Sequence, residues 1–371
     1  MSEVYPYERY HRQMILPGFG EVGQQKLATA RVLVVGAGGL GCPVLQYLTA
    51  AGVGTIGIAD DDLVALNNLH RQVLYSVRDV DLSKAERAAD ILRQLNPEIT
   101  IIPYNERITT RNALTLFELF DIIIDGTDNF AARYMINDAC VLLRKSLVYG
   151  AVSQFDGQVT VFTNENDNDV NYRDLFPDPP KEDEVPNCAE AGVLGVLPGI
   201  VGTMMASETI KIITGLGTSL ANQLLTYNAL TNQVYQFSLS KRRKVSSQVP
   251  KTASEFLNTD YDWLCSSTGS NEEIDVETFN GLIEKGNVDV IDVREPHELP
   301  SAIDFPNIKI PMAQLISSRD VVTSDSVIVF CQTGSRSLQA AKILKSIFGD
   351  DKKIYSLRGG ILEWKSRIKT L

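Results

Sequence analysis

A short apolar run that ends in a glycine-rich turn sets the tightest limit on what this chain can fold into. Arg31-Val32-Leu33-Val34-Val35 runs straight into Gly36-Ala37-Gly38-Gly39-Leu40-Gly41. The run is short, continuous and β-branched, which reads as a buried strand. The turn has GxGxxG spacing with one extra glycine, and Cys42 to Ala51 has the character of a helix that opens at it. Without Cβ atoms such a turn is tight, phosphates can approach its N–H groups, and the following helix points its positive end at them. Thr55–Ala59, Ile99–Tyr104 and Asp121–Asp125 look like further strands, with helical spacing from Leu82 to Leu95. Leu147–Gly150 and Gln158–Thr163 extend the series, and Leu224–Leu239 reads as a hairpin turning near Thr231-Asn232. This alternation predicts an α/β fold built on a Rossmann-like doubly wound sheet.

At 371 residues the chain is long for one domain. Residues 1-240 carry the glycine turn and its neighbours. Asn164 to Pro186 is acidic and Pro-rich and reads as a mobile loop, and Ala191 to Thr214 as a buried helix. Residues 241-272 begin Lys-Arg-Arg-Lys and continue with Ser, Thr and Asn, the composition of a linker. Residues 273-371 alternate again: strands at Val288–Val293, Ser326–Phe330 and Lys353–Leu357, helices at Val276–Lys285, Ser335–Phe348 and Ile361–Ile368. This second unit reads as a smaller α/β domain. A net charge of -11 argues against nucleic acid as the main partner. Five widely spaced cysteines with no CxxC argue against a disulfide framework and fit a cytoplasmic protein. The first residues are charged and lack a signal-peptide core. Val32 to Ala59 is uncharged and long enough to span a membrane, but its glycines and Pro43 divide it into strand, turn and helix.

By itself the glycine turn suits NAD, FAD or ATP. Asp60, nineteen residues after Gly41, stands where a carboxylate accepts hydrogen bonds from ribose hydroxyls. The neighbours favour ATP. Asn68, Arg71 and Gln72 lie in a polar run just past Asp60, Lys84 follows, and Asp128 sits beyond the fourth strand. Cations neutralise phosphate charge and a carboxylate holds Mg2+. Near the other end, Cys331-Gln332-Thr333-Gly334-Ser335-Arg336-Ser337 lies between a strand and a helix. Loop N–H groups, the helix N-terminus and the Arg336 charge would stabilise a thiolate able to take up sulfane sulfur as a persulfide. Cys42 and Cys140 fall in helices and read as core, and Cys265 has no assigned role. His11, His70 and His297 are isolated, without the neighbours of a general base.

Four stretches, in this order, resemble the MoeB/ThiF family, the bacterial relatives of ubiquitin-activating enzymes: Arg9-Tyr10-His11-Arg12-Gln13, the glycine turn, Asn68-Leu69-His70-Arg71-Gln72 and Thr127-Asp128-Asn129. The resemblance implies a sheet of the ubiquitin-activating type. It also implies ATP-dependent adenylation of the C-terminal glycine of a ubiquitin-like sulfur carrier ending in Gly-Gly. Gly36, Gly38, Gly39 and Gly41 would cradle the nucleotide, with Asn68 and Gln72 beside it. Asp60 would hold the ribose, Arg71 and Lys84 the phosphates, and Asp128 the magnesium. Arg12 would reach the site of the other subunit in a homodimer. Relatives also place a conjugating or resolving cysteine where Cys188 stands, in Asn187-Cys188-Ala189-Glu190. Many relatives carry two CxxC pairs that bind structural zinc, and the first pair would fall near Asn171-Tyr172-Arg173-Asp174. With no cysteine there, zinc is not expected, and packing alone is expected to hold that corner.

Residues 274 to 371 resemble a rhodanese domain through the Cys331 loop, Asp292-Val293-Arg294-Glu295 and Leu357-Arg358-Gly359-Gly360-Ile361-Leu362-Glu363-Trp364. Gln332 replaces the cation common at its loop position. Together the two resemblances imply an adenylyltransferase and sulfurtransferase. The Cys331 persulfide, supplied by a donor such as a persulfide-bearing desulfurase, would convert the carrier adenylate into a thiocarboxylate, and Cys188 would release it. Molybdopterin biosynthesis is the favoured pathway, with thiamine biosynthesis or tRNA thiolation as alternatives using the same chemistry. A nucleotide-dependent dehydrogenase fused to a rhodanese explains the glycine turn but not Arg12, Arg71, Lys84 and Asp128 together. A non-enzymatic carrier-docking module remains the third reading.

Overall fold

The computed structural model describes residues 5–166, 169–177, 192–242, 249–261, 273–296, 298, 305–316, 318, 321–349 and 351–368. They form two compact units, one holding the described residues up to 261 and the other those from 273 onward.

The first unit opens with two helices that the sequence pattern did not announce, α1 (Tyr5–Met14) and α2 (Gly20–Thr29). Then come β1 (Arg31–Val35), α3 (Gly41–Ala51), β2 (Thr55–Ala59), α4 (Lys84–Leu95), β3 (Thr100–Tyr104), α5 (Ala113–Glu118), β4 (Ile122–Asp125) and α6 (Phe130–Leu143). The chain continues through β5 (Ser146–Ser153), β6 (Asp156–Phe162), α7 (Tyr172–Leu175), α8 (Val196–Thr214), β7 (Gln223–Asn228), β8 (Gln233–Ser238) and α9 (Ala253–Leu257). The sheet order is β3-β2-β1-β4-β5-β6-β7-β8. The five strands from β3 to β5 run parallel and β6 to β8 are antiparallel. Val32, Val34, Ile56, Ile58, Ile122 and Ile124 are almost wholly buried, as strands covered by helices require. After β3 the chain returns to the other side of β1, so the strand order reverses between β1 and β4. A crevice opens at the C-terminal ends of such strands. Helix α8 is long and apolar enough to cross a membrane, but it packs on α2, α3, β5 and β6 as a core helix.

Two expectations change in this unit. Residues 169–177, inside the expected mobile loop, are anchored: Val170, Asn171, Tyr172, Arg173 and Asp174 are all buried. Residues 249–261, inside the expected linker, also pack on the first unit, burying Val249, Phe256 and Tyr261. One network explains both, and it corrects the expectation that packing alone holds this corner. Arg173 donates from Nε and Nη2 to the Asp138 carboxylate at 2.8 and 2.7 Å. Tyr261 donates its hydroxyl to the same carboxylate at 2.9 Å. Next door, the Tyr172 N–H donates to Asn137 Oδ1 at 2.8 Å and the Arg242 N–H to Asp174 at 2.7 Å. Burial pushes Asp138 up against the pull of Arg173, Tyr261 and Asn137.

The second unit comprises β9 (Glu273–Ile274), α10 (Val276–Lys285), β10 (Val288–Asp292), β11 (Ile308–Lys309), β12 (Ser326–Phe330), α11 (Ser335–Phe348), β13 (Lys353–Leu357) and α12 (Gly360–Ile368). Its sheet is parallel throughout, in the order β11-β10-β12-β13-β9. Ile291, Val329 and Ile354 belong to one apolar cluster. A second cluster gathers Phe279, Phe330 and Trp364 around Phe305. Asp292, the last residue of β10, and Arg294, two residues beyond it, form a buried ion pair at 2.8 Å.

Candidate functional site

The glycine turn leaves β1 at the strand-order reversal. Gly36 has a φ of +93°, and a Cβ there would lie 2.9 Å from the carbonyl oxygen of Gly126, the first residue after β4. A Cβ on Gly41 would lie 1.9 Å from the Gly36 carbonyl oxygen. Backbone therefore packs on backbone, and only glycine satisfies both contacts. The turn is fixed further by Asp60, whose carboxylate accepts the Ala37 N–H at 2.7 Å and the Asp62 N–H at 2.9 Å. Burial pushes Asp60 up, with Lys84 pulling the other way. The Tyr75 hydroxyl reaches the Ala37 and Lys84 carbonyls at 2.9 and 3.2 Å, tying the turn to the start of α4.

Beside the turn lies a cavity of about 430 Å³. Gly36, Gly38, Gly39, Asp60, Asn68, Arg71, Gln72, Lys84 and Asp128 all line it, although they come from segments as far apart as β1 and the end of β4. Gly41 does not line it; its role is the backbone contact just described. Lys84 is buried and pairs with exposed Asp62 at 2.7 Å. Arg71 is half-buried and donates to the Asn67 carbonyl at 3.2 Å. Two buried oxygens on the lining segments, Gln72 Oε1 and Asp125 Oδ2, have no partner among the described residues. The other Asp125 oxygen accepts both the Thr127 N–H at 2.9 Å and its hydroxyl at 2.6 Å. That turn presents exposed Asp128 on the cavity wall. Asn129 then caps α6 through the Ala132 N–H at 2.8 Å.

Sequence reasoning missed Arg107, Ile108 and Arg133, which also line the cavity. Arg107 and Ile108 come just after β3, the same strand-end position that singled out Asp60. Arg133 lies one turn into α6 and donates to the Thr127 carbonyl at 3.2 Å. Arg12 is exposed on α1 and does not line this cavity.

In the second unit Cys331 follows β12 and is wholly buried. Gly334, at a φ of +105°, donates its N–H to Cys331 Sγ at 3.2 Å. The segment after β13 closes over the loop: Ile361 donates to the Cys331 carbonyl at 2.9 Å and Leu362 to that of Gln332 at 3.2 Å. The expected role of Arg336 changes. Its guanidinium grips both oxygens of Glu298 at 2.6 Å, so a carboxylate balances its charge. Arg336 in turn holds Glu298 below the usual carboxylate range.

Cys42 and Cys140 are buried core residues. Burial pushes the Cys42 thiol up to about 12 and Cys140 well above its ordinary value. Cys188, Cys265 and His297 lie outside the described residues. His11 and His70 are exposed, and the His70 ring approaches the Asn67 carbonyl at 3.0 Å.

The ThiF family matches residues 10–249 and the Rhodanese-like domain residues 275–367. The chain is 39% identical to the "Probable adenylyltransferase/sulfurtransferase MoeZ" of Mycobacterium tuberculosis, over 97% of this chain and 93% of that one. It is 37% identical to the "Probable molybdopterin-synthase adenylyltransferase" of Porphyra purpurea, over 98% and 94%. Among solved structures, Escherichia coli MccB with MccA-N7isoASN superposes with a TM-score of 0.58 at 19% identity, over 67% of this chain and 76% of that one, a likeness of fold.

Proposed function

The chain belongs to the ThiF family and carries a rhodanese-like domain, and from that premise we propose how its two sites divide one reaction. It is an adenylyltransferase and sulfurtransferase that uses ATP and acts on a ubiquitin-like sulfur carrier. The first unit adenylates the carrier and the second supplies sulfur, in the service of molybdopterin biosynthesis. The observation that carries this reading is the single cavity that gathers the glycine turn, Asp60, Arg71, Lys84 and Asp128.

In the first step an oxygen of the carrier's terminal carboxylate attacks the α-phosphorus of ATP. The bond to pyrophosphate breaks, leaving an acyl-adenylate. Gly38 and Gly39 let the phosphates approach the backbone, Asp60 accepts from the ribose, and Arg71 and Lys84 balance phosphate charge. The donor set suits Mg2+: Asp128 is an exposed carboxylate on the wall, and this ion is commonly held by one or two carboxylates plus phosphate oxygens. Bound there, it would neutralise phosphate charge. Activation is needed because a free carboxylate is a poor acyl donor, whereas AMP is a good leaving group. In the second step the outer sulfur of the Cys331 persulfide attacks the acyl carbon and AMP departs. A second thiolate, assigned to Cys188, then attacks Cys331 Sγ. A Cys188–Cys331 disulfide forms, the S–S bond to the carrier breaks, and its electron pair leaves on the thiocarboxylate. An external thiol must therefore reduce the disulfide before the next turnover.

We assign a homodimer in which Arg12 serves the partner's cavity. Two observations support it. Arg12 is exposed and absent from its own cavity. Leu66, Val73 and Val77, from the segment that flanks that cavity, are 64–70% exposed. The sulfur donor is taken to be a persulfide-bearing protein. The compartment is taken to be the cytoplasm, where the free thiols Cys42, Cys140 and Cys331 persist. ATP–pyrophosphate exchange with carriers ending in Gly-Gly tests the reading. One carrier should stimulate exchange, and Asp128→Ala should abolish it. Absence of exchange with every carrier, while Cys331 still transfers sulfur, would overturn it.

A further inference from the structure

Beneath the Cys331 loop lie two serines that are as fully buried as the cysteine itself, Ser337 on α11 and Ser356 on β13. The Ser337 hydroxyl is 2.8 Å from the Gly334 carbonyl oxygen and 3.6 Å from Cys331 Sγ. The Ser356 hydroxyl is 2.9 Å from Ser337 Oγ and 3.5 Å from the same Gly334 carbonyl. Each hydroxyl has one proton to donate, so each must choose between two acceptors.

We infer that Ser337 is a further catalytic residue of the sulfur loop, with Ser356 as its positioning residue. The pair forms a hydroxyl relay that turns a proton toward Sγ when the sulfur becomes an anion. This rests on the reading of Cys331 as the sulfur-bearing residue. With a neutral thiol, Ser337 donates along the shorter path to Gly334. With a thiolate, a charge-assisted bond to sulfur is the stronger choice, and the hydroxyl turns. No buried group is orphaned by the turn, because the Gly334 carbonyl keeps the Leu338 N–H at 3.0 Å. Ser356 donates to Ser337 Oγ throughout and strengthens its O–H as a donor. The need for such a donor follows from the Arg336–Glu298 pair, which balances the nearest loop cation with a carboxylate. The Gly334 N–H and the Ser337 hydroxyl then face the sulfur as neutral donors.

The relay acts when sulfur is loaded. The Cys331 thiolate attacks the outer sulfur of a donor persulfide, R–S–SH. A bond forms between Sγ and that sulfur, the donor's S–S bond breaks, and its electron pair leaves on the donor thiolate, R–S⁻. Ser337 holds the attacking anion until the new bond forms.

The test is alkylation of Cys331 by iodoacetamide in the full-length protein, followed peptide by peptide across a pH series. Ser337→Ala should move the midpoint of the rate profile up by about one unit and slow alkylation near neutral pH about tenfold. Ser356→Ala should move it the same way by less, and Ser337→Thr should restore it. If the alanine variant at 337 does not unfold cooperatively, Ser356→Ala decides in its place. An unchanged midpoint in the folded alanine variants overturns the relay and leaves Cys331 as the sulfur carrier. Sulfur transfer that survives Cys331→Ala overturns the underlying reading instead.

Discussion

Replacing Arg173 with methionine keeps most of the side chain's bulk but strips Asp138 of its counter-ion. Asp138 is fully buried in the pair and Arg173 is 4% exposed, so water cannot take over. Tyr261 and Asn137 still donate to the carboxylate, but neither carries charge. Breaking a buried pair from one side costs about 3–5 kcal/mol, because the remaining charge stays desolvated. For a unit of this size that is roughly a 10 °C fall in melting temperature. Calorimetry of the full-length protein resolves it, since only the transition of the first unit should rise when ATP is added. The double variant Asp138→Asn/Arg173→Met removes both charges and should recover most of the loss. A fall under about 2 °C for Arg173→Met, or a double variant no better than the single, would refute the claim that this pair holds the corner.

Other outcomes follow from the same structure. Gly41→Ala should abolish nucleotide binding in calorimetric titration, because the backbone atoms it meets have no room to give. Mixing Arg12→Ala protomers with Asp128→Ala protomers should restore exchange activity to about a quarter of wild type, since half the dimers regain one complete site. No recovery would place Arg12 in its own subunit's reaction. Arg336 lowers Glu298 from its ordinary value of 4.5. The stability this pair gives is therefore full above that value and is lost as pH falls through the lower folded value. The second unit should therefore melt at a lower temperature as pH falls below 4.5, and Glu298→Gln should flatten that dependence.

Much of the fold could be read from the chain because buried parallel strands are short, continuous and apolar. The first four strands lie within a residue of their expected limits. The nucleotide residues were readable for a related reason: they cluster just past strand ends, where the topology brings them together. What escaped is long-range pairing. Arg173 meets Asp138 across 35 residues and Tyr261 meets it across 123. In the sequence these are ordinary polar residues in a loop, a helix and an apparent linker. Arg336 shows the same limit, since its charge is visible in the motif but Glu298, 38 residues earlier, is not. Helix α2 escaped for a local reason: it is only weakly amphipathic and has no side-chain cap at its start.

The complete burial of Cys331 acts as a gauge on what it can exchange sulfur with. A folded surface cannot press against an atom that has no surface of its own. An acceptor or donor must arrive as something narrow, and a tail ending in two glycines is about as slender as a polypeptide can be. Broad thiols and bulky side chains are turned away by width alone, before any charge or hydrogen bond is consulted. The loop thus selects among sulfur partners by calibre.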